Sequence, residues 1–80
     1  IHRYRYIMTP KRIRRIAVNE IIVREDIMPQ SIIEIAGGIV KSYYPFTDEQ
    51  PCTEWIGGTV EIKTDEHGYL RVYKNENLIE

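Results

Sequence analysis

Three residues of metal-ligand type stand side by side in this chain, Asp65-Glu66-His67, between Thr64 and Gly68. Carboxylates and imidazole suit zinc and harder cations. Such a trio in a polar turn ending in glycine is more often a solvated loop, and no metal is expected here. Cys52 is the only cysteine. With His67 or His2 as base it could act as a nucleophile, but no acidic orienter is specified, and a small half-buried thiol is the better reading. One cysteine forms no intrachain disulfide and, with two histidines, no structural zinc site. The pairs Gly37-Gly38 and Gly57-Gly58 lack the spacing of a phosphate-cradling loop before a helix. Neither an enzyme nor a bound cofactor is expected.

Two groups of residues could bind a partner. Tyr43, Tyr44, Phe46 and Trp55 lie close in the chain. Tyr and Trp are enriched where interfaces concentrate their energy. Tyr43 and Tyr44 are adjacent, so on a strand they point to opposite faces, one inward and one toward a partner. The second group is basic. Arg3, Arg5, Lys11, Arg12, Arg14 and Arg15 give residues 1–19 a charge of +6, whereas the remainder carries 5 basic and 12 acidic residues. The plain reading is a basic arm lying against an acidic body. The sharper alternative is a nucleic-acid surface of Arg3, Arg5, Arg12, Arg14 and Arg15, with interleaved Tyr stacking on bases.

The elements that position these groups read as strands. Ile1–Met8 alternates, as an edge strand or arm would, and Thr9-Pro10 breaks it. Residues 11–23 carry a partial helical spacing at Ile13, Ile16 and Ala17. Their β-branched content favours two short strands instead, about 13–18 and 20–24, bent at Asn19. Arg24-Glu25-Asp26 reads as a polar turn, and Met28-Pro29 leads onward. The stretch Pro29–Phe46, PQSIIEIAGGIVKSYYPF, is the centre of the chain. It is two arms joined at Gly37-Gly38, where a tight hairpin needs positive φ. Pro45 ends the pairing or sits on an edge. Residues 45–54 form a loop, and Glu54-Trp55-Ile56 adds a short strand. Gly57-Gly58 marks a bulge or a close approach of backbones. TVEIK (59–63) and YLRVY (69–73) alternate around a hairpin loop, Lys74–Asn77 turns again, and Leu78-Ile79 closes the chain.

Turn signals at intervals of about 8–12 residues give an all-β class: a small barrel or two-layer sandwich of five to seven short, mostly antiparallel strands. All 80 residues form a single domain. A core of that size without a cross-link is modest, which favours self-association. No apolar run approaches the roughly 20 residues of a membrane helix, and no signal-peptide pattern is visible. A lone thiol fits a reducing cytoplasm. Ile1 is not an initiator methionine, which points to a trimmed start.

The order RRIAVNEIIV, SIIEIAGGIVKSYYPF and TEWIGGTVEI resembles the small N-terminal β domain of metal-dependent amidohydrolases, over about residues 12–63. There a first strand precedes a strand–Gly–strand hairpin, and a glycine-bearing strand leads into a catalytic barrel. That family's His-x-His motif should follow the last strand. Here Lys63-Thr64-Asp65-Glu66-His67-Gly68 follows instead. The resemblance implies a free-standing relative of the β domain without the barrel, and carries over no catalytic residue. The function expected is a non-enzymatic interaction or structural module. Its expected partner is a second copy or another protein, ahead of nucleic acid and with no membrane.

Overall fold

A computed structural model describes residues 13–48 and 53–80 of the chain. The expected strand at Ile1–Met8, together with His2, Arg3, Arg5, Arg12 and Cys52, lies outside the described residues.

The molecule is built on two bent arms that run side by side. In the first, β1 (Ile13–Val18) passes through Asn19 into β2 (Glu20–Val23). In the second, β6 (Glu54–Trp55) passes through Ile56-Gly57-Gly58 into β7 (Thr59–Thr64). The arms are parallel: Ala17 pairs with Trp55 before the bend, and Ile21 with Val60 after it. Backbone bonds cross at the corner, from Asn19 N–H to the Gly58 carbonyl at 2.9 Å and from Gly57 N–H to the Ala17 carbonyl at 3.1 Å. The Asn19 side chain closes it, its Oδ1 accepting from Gly58 N–H at 2.6 Å. Gly57 and Gly58 have φ of 74° and 71°, which explains why the bend falls on glycine.

Each arm gives its first half to one sheet and its second half to another. The first sheet has the order β5-β4-β1-β6, with β4 (Ser31–Ala36) and β5 (Ile39–Pro45) forming the central hairpin. The second has the order β3-β2-β7-β8-β9, adding β3 (Asp26–Met28), β8 (Leu70–Lys74) and β9 (Asn77–Ile79). Ile16, Val18, Ile33, Ile35 and Val40 of the first sheet meet Ile21, Val60, Ile62 and Val72 of the second in one buried cluster. The described residues are therefore all-β, a two-layer sandwich, and no barrel closes among them.

Nine strands occur among the described residues, against the five to seven expected. The surplus lies in strands of two or three residues. The sequence predicts a polar turn at Arg24-Glu25-Asp26 and a lead-in at Met28-Pro29, yet Ile21 pairs with Met28 and Val23 with Asp26 to make β3. The hairpin between them turns through Arg24 at φ 59°, a conformation that carries no glycine signal. Among the described residues only β1–β6 and β2–β7 are parallel pairs, so the sheets are mostly antiparallel as expected.

The last hairpin stores strain. Lys74 pairs with Asn77, so Asn75 (φ 52°) and Glu76 (φ 67°) both occupy the left-handed region. Asn tolerates this; for a residue such as Glu it costs roughly 1–2 kcal/mol. Glu76→Gly is expected to raise stability by about 0.5–1 kcal/mol, the relief exceeding the added freedom of the unfolded chain. A rise in the urea midpoint at unchanged slope would register it.

Candidate interaction surface

The outer face of the first sheet carries Trp55, the most exposed aromatic side chain among the described residues. Alternation turns Ile13, Arg15 and Ala17 of β1 away from the core that receives Ile16 and Val18. Register then orders the face in rows. Trp55, Ala17, Ile32 and Tyr44 form the first, Arg15, Glu34 and Ser42 the second, and Ile13, Ala36 and Ile39 the third. Trp55 is 57% exposed, Ile13 51% and Tyr44 37%, while Ala17 and Ile32 between them are closed. Trp55 and Tyr44 thus stand about 14 Å apart, three strand spacings, at the two ends of one row.

Glu34 is the polar centre of this face. Its carboxylate accepts from Arg15 Nε at 2.8 Å, Ser42 Oγ at 2.8 Å and Tyr44 OH at 3.2 Å. The Arg15 bond, then the Ser42 bond, hold the Glu34 carboxyl below its ordinary range. Burial, then the Glu34 charge, push the Tyr44 phenol up. The network fixes the Tyr44 ring in place, which reduces the entropy it would lose on meeting a partner.

Of the four aromatics singled out in the sequence, two share this face. Tyr43 takes the other side of β5 and packs against the core cluster, so the adjacent tyrosines do part as alternation requires. Phe46 lies half-buried past the end of β5, its N–H donating to the Gln30 carbonyl at 3.1 Å. Glu34 was not singled out. Its signal was present as one acid in an isoleucine-rich arm, and it became legible once the hairpin register set it opposite Arg15.

The two described arginines of the basic group do not act together. Arg14 and Arg15 point to opposite faces, each held by a carboxylate of the body. Arg14 donates from Nε to Glu54 Oε1 at 3.0 Å and from Nη2 to Oε2 at 2.9 Å, and Arg15 pairs with Glu34 at 2.8 Å. The bidentate bond raises the Arg14 pKa and lowers that of Glu54.

The acidic turn at 65–67 is a structural clamp. Asp65 Oδ1 accepts from the backbone N–H of His67 at 2.8 Å and of Tyr69 at 2.9 Å. Its Oδ2 accepts from Arg71 Nε at 2.9 Å, and Arg71 Nη1 donates to the Gly38 carbonyl at 2.9 Å. The carboxylate is thereby committed, and the clamp ties the β7–β8 turn to the central hairpin. Among the described residues no three His, Cys, Asp or Glu side chains converge on a metal position.

The Arg71 bond and the two backbone N–H bonds hold the Asp65 carboxyl at about 2. A carboxyl depressed on folding adds stability that is complete above its unfolded value near 4 and lost as pH falls through about 2. Asp65→Asn is therefore expected to lower Tm at pH 7, with the deficit shrinking as pH falls from 4 toward 2. Parallel melts of both proteins across that range would read it; a deficit independent of pH would contradict the assignment.

No protein-family model, curated protein or solved structure matches this chain.

Proposed function

We propose that this domain is a non-enzymatic interaction module that self-associates through the outer face of its first sheet. The observation that carries the reading is the exposed Trp55, set in the same row as a Tyr44 already fixed by Glu34. Exposed apolar side chains grouped on one face mark association sites more often than isolated ones do.

Edge pairing is the less favoured route. β5 carries a bulge at Lys41, because Glu34 faces Ser42 while Ile35 faces Val40, and it ends on Pro45. β6 has two residues, β3 three and β9 three. Short, bulged and proline-capped edges resist strand addition. The sheet face, closed by a two-fold axis, is the surface left for a second copy.

The reading also takes the domain as a relative of the amidohydrolase N-terminal β domain, supported by the glycine hairpin at 31–45 beside a strand at 13–18. The nucleic-acid alternative is weakened by the intramolecular pairing of Arg14 and Arg15. No helix among the described residues is long and apolar enough to cross a membrane.

Light scattering at tens of micromolar is expected to give about twice the 9.5 kDa monomer mass. Trp55→Arg is expected to return the monomer with its melt intact. A monomeric mass for the unaltered protein at the highest soluble concentration overturns the proposal. Micromolar, steeply salt-dependent binding of an oligonucleotide would favour the basic surface instead.

A further inference from the structure

We infer that the mouth of the sandwich between β1 and the β8–β9 hairpin binds a small organic carboxylate with an aliphatic body. The open groove there has a volume of about 400 Å³. Its apolar lining is Ile56, Leu78 and Ile79, and Arg14 and Lys74 line it as well. Ile56 and Ile79 lean on the core cluster, whereas Leu78 is exposed although large and apolar.

The two cations are placed differently. Arg14 is locked by its bidentate bond to Glu54, so its guanidinium plane is oriented in advance. Lys74 donates from Nζ to the Ile56 carbonyl at 3.2 Å and, among the described residues, has no carboxylate partner. An ammonium has three donors, and this one leaves two for a ligand. Glu80 also borders the cavity, and no ion pair joins it to Lys74. Its Cγ and Oε2 lie 3.8 Å and 3.9 Å from where a Cβ on Gly38 would stand, and Arg71 Nη1 lies 2.8 Å from the same point. The Glu80 side chain thus reaches toward the Gly38 turn. An aliphatic chain against Ile56, Leu78 and Ile79 and a carboxylate at Lys74 would satisfy both halves of the cavity. A free acid and the carboxyl end of a peptide offer the same chemistry.

The test is a titration of the ¹⁵N-labelled protein followed by amide shifts. Three probes are used at matched ionic strength: sodium 3-methylbutanoate, acetyl-glycyl-leucine and 3-methylbutan-1-ol. Saturable shifts confined to residues 54–58 and 74–80 are expected with a carboxylate and not with the alcohol. Tighter binding of the peptide would identify a chain terminus as the source, and equal or weaker binding a free acid. Lys74→Gln is expected to weaken binding at least tenfold while its spectrum remains that of the folded protein. Arg14→Gln, which also breaks an ion pair, serves as the second variant. Shifts shared by the alcohol, shifts produced by sodium chloride alone, or full binding by a folded Lys74→Gln protein overturn the inference.

Discussion

Replacing Gly38 by valine is expected to destabilise the protein by about 3 kcal/mol, combining left-handed strain of a β-branched residue with a steric clash. Ala36 pairs with Ile39, so Gly37 and Gly38 are the two turn residues, at φ 61° and 78°. Both central residues of this turn type need positive φ, which a β-branched side chain resists. Strain is only part of the effect. A Cβ on Gly38 would stand 2.8 Å from Arg71 Nη1, so the guanidinium that donates to the Gly38 carbonyl must shift. Its movement also disturbs the bond to Asp65, the clamp between the two hairpins. Gly68 supplies the control. Its φ is 87°, yet nothing lies within 4 Å of its ideal Cβ. Gly68→Val should therefore show the strain alone, roughly 1–2 kcal/mol. Urea unfolding of the two variants separates the terms; equal losses would mean that the clamp contributes nothing.

The central hairpin was legible because its signals are local. Glycines at the turn, alternation in Ile32–Ala36 and a proline at the far end all act within a few residues, and the observed arms follow them. TVEIK and YLRVY likewise bury Val60, Ile62 and Val72 as their period requires. Asn19 marked a bend, and the bend is there. The side-chain ties between distant segments were not legible, because they depend on partners far along the chain. Asn19 closes its corner on Gly58, Arg14 binds Glu54, and Arg71 reaches Gly38. None of those pairings leaves a periodic trace. Asn75 and Glu76 were recognised as a turn, but their left-handed backbone was not, since only Asn hints at it. The aromatic group divided as alternation demanded for Tyr43 and Tyr44. That Trp55 would join Tyr44 rather than Tyr43 followed only from the parallel pairing of β6 with β1.

Ile32→Ala and Ile33→Ala are each expected to cost about 3 kcal/mol, the middle of the range for a buried isoleucine. Alternation read alone would make one of them cheap, since consecutive residues on a strand face opposite sides. Ile33 pairs with Ile16 and belongs to the core between the sheets. Ile32 faces away from that core, opposite Ala17 on one side and Tyr44 on the other. Yet both isoleucines have 0% exposure, and Ala17 is also buried. β4 is thus a strand covered on both faces, and each substitution removes three carbons from a closed environment. Against the 5–15 kcal/mol that typically separates folded from unfolded states, either loss is severe, and the double variant should not fold. Urea midpoints of the single variants, taken at one protein concentration, measure both terms. A loss at Ile32 under about 1 kcal/mol would mean that the outer face yields easily when trimmed. The row from Trp55 to Tyr44 would then act as one open strip. A loss matching that of Ile33 would mean that the row is closed at its middle, with only Trp55 and Tyr44 exposed at its ends.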